Sequence, residues 1–147
     1  MLRPSCIWVW DNSANDYIDL TDNINTNTAF TFLADAADEV YIGCDRRFVG
    51  VYADLSTSGS YTSLTYKYLT GEETWSSLSL IDSYNFDSSK YCRWNLPDNR
   101  AKQQFTSTYP KAKAPPSNVE YFWIKISASA VTAAAVISKM RIMPYSS

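Results

Sequence analysis

With 147 residues, of which 46% are hydrophobic, 15% aromatic and 19% charged, the chain has the size of one folded domain and a composition unlike that of disordered chains. It contains no histidine and only four glycines, which excludes His-dependent nucleophilic triads and leaves no material for a glycine-rich phosphate loop or dinucleotide fingerprint. The net charge of −2 hides an asymmetry: residues 1–60 carry nine carboxylates against three arginines, a balance of −6, and residues 61–147 carry six carboxylates against ten bases, a balance of +4.

The chain opens on Ile7, Trp8, Val9 and Trp10, a β-rich apolar run. The polar cluster at 11–16 breaks it with side chains suited to Asx-type turns. Residues 17–21 suit a second short strand, 22–28 a polar Asn/Thr loop, and 29–33 a brief alternating strand. Residues 33–40 are the best local helix candidate, but at this length they fit a single turn or a bend leading into the strand at 40–42. Residues 1–38 are therefore expected as an N-terminal arm or as extra strands.

A ladder of short aromatic strands follows. In 48–55, period-2 alternation puts Val49, Val51, Ala53 and Leu55 on one face and Phe48, Gly50, Tyr52 and Asp54 on the other. In 64–69, Leu64, Tyr66 and Tyr68 oppose Thr65, Lys67 and Leu69, and a tight connection at 70–73 leads to the strand at 75–80, predicting an antiparallel hairpin. Residues 82–89 form a turn cluster, and 91–96 turn Cys92, Trp94 and Leu96 inward before Pro97. The pattern lapses over 98–118, where Pro110, Pro115 and Pro116 predict a long exposed excursion. It returns at 121–126 and at 136–142, where Val136, Ser138, Met140 and Ile142 alternate with Ile137, Lys139, Arg141 and Met143. Short antiparallel strands without sustained helical periodicity predict an all-β single domain over 1–147, an antiparallel β-sandwich or jelly roll with a short N-terminal extension.

Cys6, Cys44 and Cys92 are odd in number and lie among strand-like residues, which predicts reduced core thiols and folding in a reducing cytoplasm. Residues 1–10 lack the apolar core and cleavage site of a secretory signal, and no apolar run approaches the ~20 residues of a membrane span. No nucleic-acid footprint is expected either, because 100–113, the longest basic stretch, holds four dispersed charges.

Few residues suggest chemistry. Glu72, Glu73, Asp82 and Asp87 lie in turns, where two carboxylates flanking a glycosidic bond are the one open catalytic route against the commoner role of solvated turn acids. Asp11, Ser13, Asn15, Asp19 and Asp22 follow the spacing of a calcium loop, but Asp16 stands where the turn needs glycine, which favours an Asx-rich turn. Trp75, Trp94 and Trp123, with Tyr61, Tyr66, Tyr68, Tyr84 and Tyr91, would suit stacking on a sugar ring, whereas their alternation with polar neighbours places most of these rings between sheets. The charge asymmetry allows either interspersed charges or an acidic flank of one subunit meeting a basic flank of the next.

The order of 41–43, Phe48 with Gly50, Leu55, 64–68, Trp75, the turn at Phe86, Asp87, Ser88 and Ser89, then Trp94, Asn95, Leu96 and Pro97, 121–126 and the closing run to Pro144 resembles β-sandwich virion proteins of tailed bacteriophages. The resemblance covers roughly 39–144. It implies a non-enzymatic capsid decoration (cement) protein without cofactor or metal, made in the host cytoplasm and seated as a homotrimer on the major capsid protein, with no nucleic-acid or membrane partner. Candidate capsid and intersubunit contacts are Arg3, Trp10 and Asn25 on the polar N-terminal stretch, and Arg100, Lys102, Lys111 and Lys113 on the Pro-rich excursion. The alternative is a carbohydrate-binding module of a tail or baseplate, with Trp75, Tyr84 and Trp123 as glycan contacts.

Overall fold

A computed structural model describes residues 1–71, 74–97, 102 and 119–145. In chain order the elements are β1 (Cys6–Asp11), β2 (Asp16–Asp19), α1 (Thr21–Thr26), β3 (Phe30–Phe32), β4 (Glu39–Cys44), β5 (Phe48–Thr57), β6 (Ser60–Thr62), β7 (Thr65–Gly71), β8 (Thr74–Ser77), β9 (Lys90–Arg93), β10 (Phe122–Ser127), β11 (Ala130–Ala133) and β12 (Ala135–Pro144). The described strands pair antiparallel throughout. They form a six-stranded sheet ordered β2-β1-β4-β10-β7-β8, a four-stranded sheet ordered β3-β12-β5-β9, and a small β11-β6 ribbon.

Between 30 and 144 the chain repeatedly changes sheet: β3, β5, β9 and β12 lie in the four-stranded sheet, whereas β4, β7, β8 and β10 lie in the six-stranded one. One apolar cluster draws on both. The six-stranded sheet contributes the cross-strand row Ile7, Ile42, Ile124 and Tyr68, and the four-stranded sheet contributes Val51, Ala53, Cys92, Met140 and Ile142. A buried aliphatic or aromatic side chain contributes roughly 1.5–3 kcal/mol, so these paired rows fix the register of both sheets. Residues 1–38 supply strands and no free arm. β1 and β2 extend the six-stranded sheet, β3 edges the other, and Leu2 bridges Ile142 through N–H···O bonds of 3.0 and 2.7 Å.

The alternation in 64–69 and 91–94 and the β7–β8 hairpin match expectation: Tyr66, Tyr68, Cys92 and Trp94 face the main cluster and Leu69 faces away, whereas Leu96, expected inward, lies beyond the end of β9 and is half-buried outside both clusters. Two strands depart from strict period 2, both at register shifts. Between Pro144↔Phe48 and Met143↔Gly50 the ladder slips, so Phe48 turns into the core with no exposed surface and Val49 is only half-buried. Around Ser138 a second slip leaves Ile137 in the core alongside Met140 and Ile142, where simple alternation separated them. A β-bulge adds one residue to one strand and so reverses the face of everything beyond it.

The 22–28 loop is in fact mostly α1. Its sequence offers one apolar residue, Ile24, so no helical period exists to be read. Local bonds make the turn: the Asp19 carboxylate accepts from Thr21 N at 2.9 Å, and Asn27, at φ 52, closes the C-terminus in the left-handed conformation. The 33–40 segment takes the bend, with turns at 34–37 before β4 begins.

Candidate functional site

Each large sheet has an outer face, and the two differ. On the six-stranded sheet, β1, β2, β4, β7, β8 and β10 raise a second cluster of Cys6, Trp10, Tyr17, Tyr41, Leu69 and Trp123, with Trp8, Trp75 and Tyr121 packed against it. Consecutive strand residues face opposite ways, so Trp123 sits on this outer face because Phe122 and Ile124 sit on the inner one. The rings meet at centroid distances of 5.1 Å (Trp10–Tyr17), 5.9 Å (Tyr17–Tyr41), 5.7 Å (Tyr41–Trp75) and 5.6 Å (Tyr121–Trp123). Lys125 Nζ lies 4.8 Å above the Trp75 ring and 3.5 Å from Glu39, whose other oxygen accepts from Tyr41 Oη at 2.7 Å. This layer is largely closed, with Trp10 4% and Trp123 1% exposed.

The outer face of the four-stranded sheet is partly open, with Arg3 and Tyr91 exposed, and is chemically distinct. Its register sets Arg141 beside Tyr52 and Tyr52 beside Tyr91, and the adjacent row sets Met143 beside Gly50 and Arg93. The Leu2–Ile142 bridge lays Arg3 next to Arg141, extending the basic row by one position. Arg141 is buried and has no carboxylate partner among the described residues. Its Nη1 donates to the Met140 carbonyl at 2.7 Å and its Nη2 to Asn27 Oδ1 at 2.9 Å. Burial and then the Arg3 charge pull its pKa below the ordinary arginine value. Arg93 is held at 2.8 Å by Asp82 and lies 5.4 Å from the Tyr91 ring, which is itself exposed; the ion pair raises the Arg93 pKa.

Gly50 makes this packing achievable. A Cβ there would stand 2.7 Å from the Cys92 carbonyl oxygen and 2.8 Å from Met143 Sδ, so the neighbouring backbone and the methionine close over a position without a side chain.

The predicted contact residues divide. Arg3 and Asn25 are exposed. Trp10 is a correction: a large ring on a strand that buries both faces packs into the outer aromatic layer and offers no free surface. Lys102 is exposed with Nζ 5.9 Å from the Phe122 ring, and Arg100, Lys111 and Lys113 lie outside the described residues. Of the glycan candidates, Tyr84 and Trp123 are buried, and Trp75 alone remains half-buried. Tyr84 belongs to the 82–89 turn, which dives inward. Its ring lies 4.3 Å from Phe86, which stacks at 4.1 Å on Phe32. The pairing of Arg141 with Tyr52 leaves no mark on the sequence, since only the cross-strand register brings them together.

The calcium-like spacing resolves into turn bonds: Asp11 Oδ1 accepts from Ser13 N, Ser13 Oγ and Ala14 N, and no metal-ligating cluster occurs among the described residues. Of the turn carboxylates, Asp82 is tied to Arg93, Asp87 is exposed, and Glu72 and Glu73 fall outside the described residues. Cys6, Cys44 and Cys92 are free and buried. Burial pushes the Cys6 thiol up to about 12 and the Cys92 thiol up to about 11, which removes them as nucleophiles at neutral pH. Comparison of the chain with protein-family models, with curated proteins and with solved structures finds no match to any of them.

Proposed function

We propose that the chain is a jelly-roll structural subunit of a tailed-phage virion, a capsid decoration protein that acts by binding alone. The observation that carries this reading is strand order. Numbering β3, β4, β5, β7, β8, β9, β10 and β12 from one to eight, the four-stranded sheet runs first, eighth, third, sixth, and the matching part of the other sheet runs second, seventh, fourth, fifth. That order supports a reading as two interlocked Greek keys wrapped into a β-sandwich, an architecture used repeatedly for viral capsid and lectin domains. The resemblance in the order of core aromatics and turns points to the virion use.

In this proposal the outer face of the four-stranded sheet meets the major capsid protein. Arg3 and Tyr91, which are exposed, and Tyr52 and Met143, which are half-buried, combine residue types enriched in protein interfaces. Many copies, assembled as trimers on the capsid surface, would stabilise the shell through repeated bridging contacts. The test is co-sedimentation with empty capsids of the phage that encodes it, combined with light scattering for oligomeric state. Trimers that bind capsids, and bind less well after Tyr91→Ala, support the proposal; a monomer indifferent to capsids ends it.

A second reading, glycan binding, draws on the lectin use of the same architecture and on the half-buried Trp75 ring. It predicts glycan-array signals that Trp75→Ala abolishes while the fold persists.

A further inference from the structure

A cavity of about 180 Å³ opens where β1 and β2 approach β3 and the bend that follows it, with Asp11, Ile18, Leu20, Phe30, Leu33 and Asp38 on its wall. Phe30 and Leu33 are buried in the main cluster, so the floor is rigid, whereas Ile18 is 40% exposed. The wall is mainly apolar and also carries two carboxylates, with no basic side chain among its lining residues.

Asp38 is the unusual group. It is 4% exposed, Oδ1 accepts from Asn12 N at 2.9 Å, and the second carboxylate oxygen receives no donor among the described residues. Among the described residues no lysine or arginine lies within ion-pair distance of it. Buried carboxylates are normally paired, because an uncompensated charge in an apolar setting is costly. Among the described residues this one has no cation, and it borders a cavity of fitting size.

We propose that the cavity receives a lysine side chain from a protein partner, its alkyl stem on Ile18, Leu20, Phe30 and Leu33 and its ammonium between Asp38 and Asp11. Four methylenes and an ammonium, at roughly 30 Å³ for each water-sized group, need about 150 Å³, which the cavity provides. A purely apolar guest would leave the carboxylates desolvated, and an anion would be repelled. A lysine uses both parts of the wall, since its stem is apolar and its head is a compact charge. Burial, with Asp11 and Asp35 nearby, raises the Asp38 pKa, the direction a bound ammonium would reverse. This inference stands whether or not the virion reading does.

The experiment is an NMR titration of the full chain with Nα-acetyl-lysine methylamide, following the methyl signals of Ile18, Leu20 and Leu33. The norleucine and arginine counterparts and n-butylamine are titrated in parallel. The lysine derivative is expected to saturate on the order of millimolar, with the norleucine derivative at least about tenfold weaker and Asp38→Asn costing about tenfold. Ala34→Leu, at an exposed lining position, plugs the mouth and removes binding even if Asp38→Asn fails to fold. Equal binding of norleucine, tighter binding of arginine, binding of butylamine but not of the lysine derivative, or shifts away from these methyls would each overturn the proposal, as would no saturation by the lysine derivative.

Discussion

The indole N–H of Trp94 donates to the backbone carbonyl of Phe48 across 3.1 Å, and the two rings meet edge to face at 5.8 Å. Opposite Phe48 in the ladder stands Pro144, which has no N–H to give. The indole bond ties Trp94 to the β5 backbone at the bulge that turns Phe48 inward.

Replacing Trp94 tests that role in two steps. Trp94→Phe keeps a ring but removes the donor from a buried carbonyl, and is expected to cost about 1–3 kcal/mol. Trp94→Ala also leaves a cavity and should cost about 3–5 kcal/mol. Urea unfolding reads both as lowered midpoints at unchanged slope. A Phe variant as stable as the parent would remove the donor argument.

The buried thiols predict an alkaline limit to stability. Folding raises Cys6 to about 12 and Cys92 to about 11 from the ordinary 9.0, through burial above all. Below pH 9 both states are protonated and this contribution is complete. Between pH 9 and about 11–12 the unfolded chain releases protons that the folded chain retains, so stability falls as pH rises. Tyr66 and Tyr84, also raised by burial, act in the same direction at higher pH. Urea midpoints from pH 8 to 11 should decline, and less steeply after Cys92→Ala. At pH 8 the thiols of the native protein should resist a thiol reagent that labels all three after unfolding.

Left-handed backbone outside glycine provides a paired prediction. Ser63 has φ 50 on the exposed turn between β6 and β7, and Leu33 has φ 47 with no exposed surface. Ser63→Gly relieves strain and loses no packing, so it should stabilise by up to about 1 kcal/mol after the entropy cost of glycine. Leu33→Gly relieves the same strain but empties a core position, and should destabilise by about 2–5 kcal/mol. Thermal melts giving the same sign for both would contradict this account.

Gly50→Ala places a methyl against the Cys92 carbonyl, a backbone atom that cannot step aside, and against Met143. The expected cost is about 1–3 kcal/mol. Because Met143 and Arg93 close over that position on the proposed capsid face, binding to capsids should weaken along with stability. A destabilised variant with undiminished capsid binding would move the contact elsewhere.

The sequence by itself determined the all-β character, the β7–β8 hairpin, the inward Cys92 and Trp94, and the three unpaired thiols. These follow from local rules: side-chain alternation, turn chemistry, and the burial habit of an odd cysteine set. Only the tertiary structure decided which face of a strand met the other sheet. Trp123 and Phe122 are adjacent and equally apolar, yet one joins the outer aromatic layer and the other the inner cluster. Bulges at Ser138 and beside Phe48 reversed faces because one inserted residue leaves no mark on composition. Helix α1 depends on the Asp19–Thr21 bond, the Asn27 turn and the burial of Ile24, none of which produces a period. The Arg3–Arg141–Tyr52–Tyr91 row joins residues as much as 138 positions apart in a chain of 147. Such a row is made by long-range strand pairing, and the free energy of that pairing belongs to the whole core and to no segment of the chain.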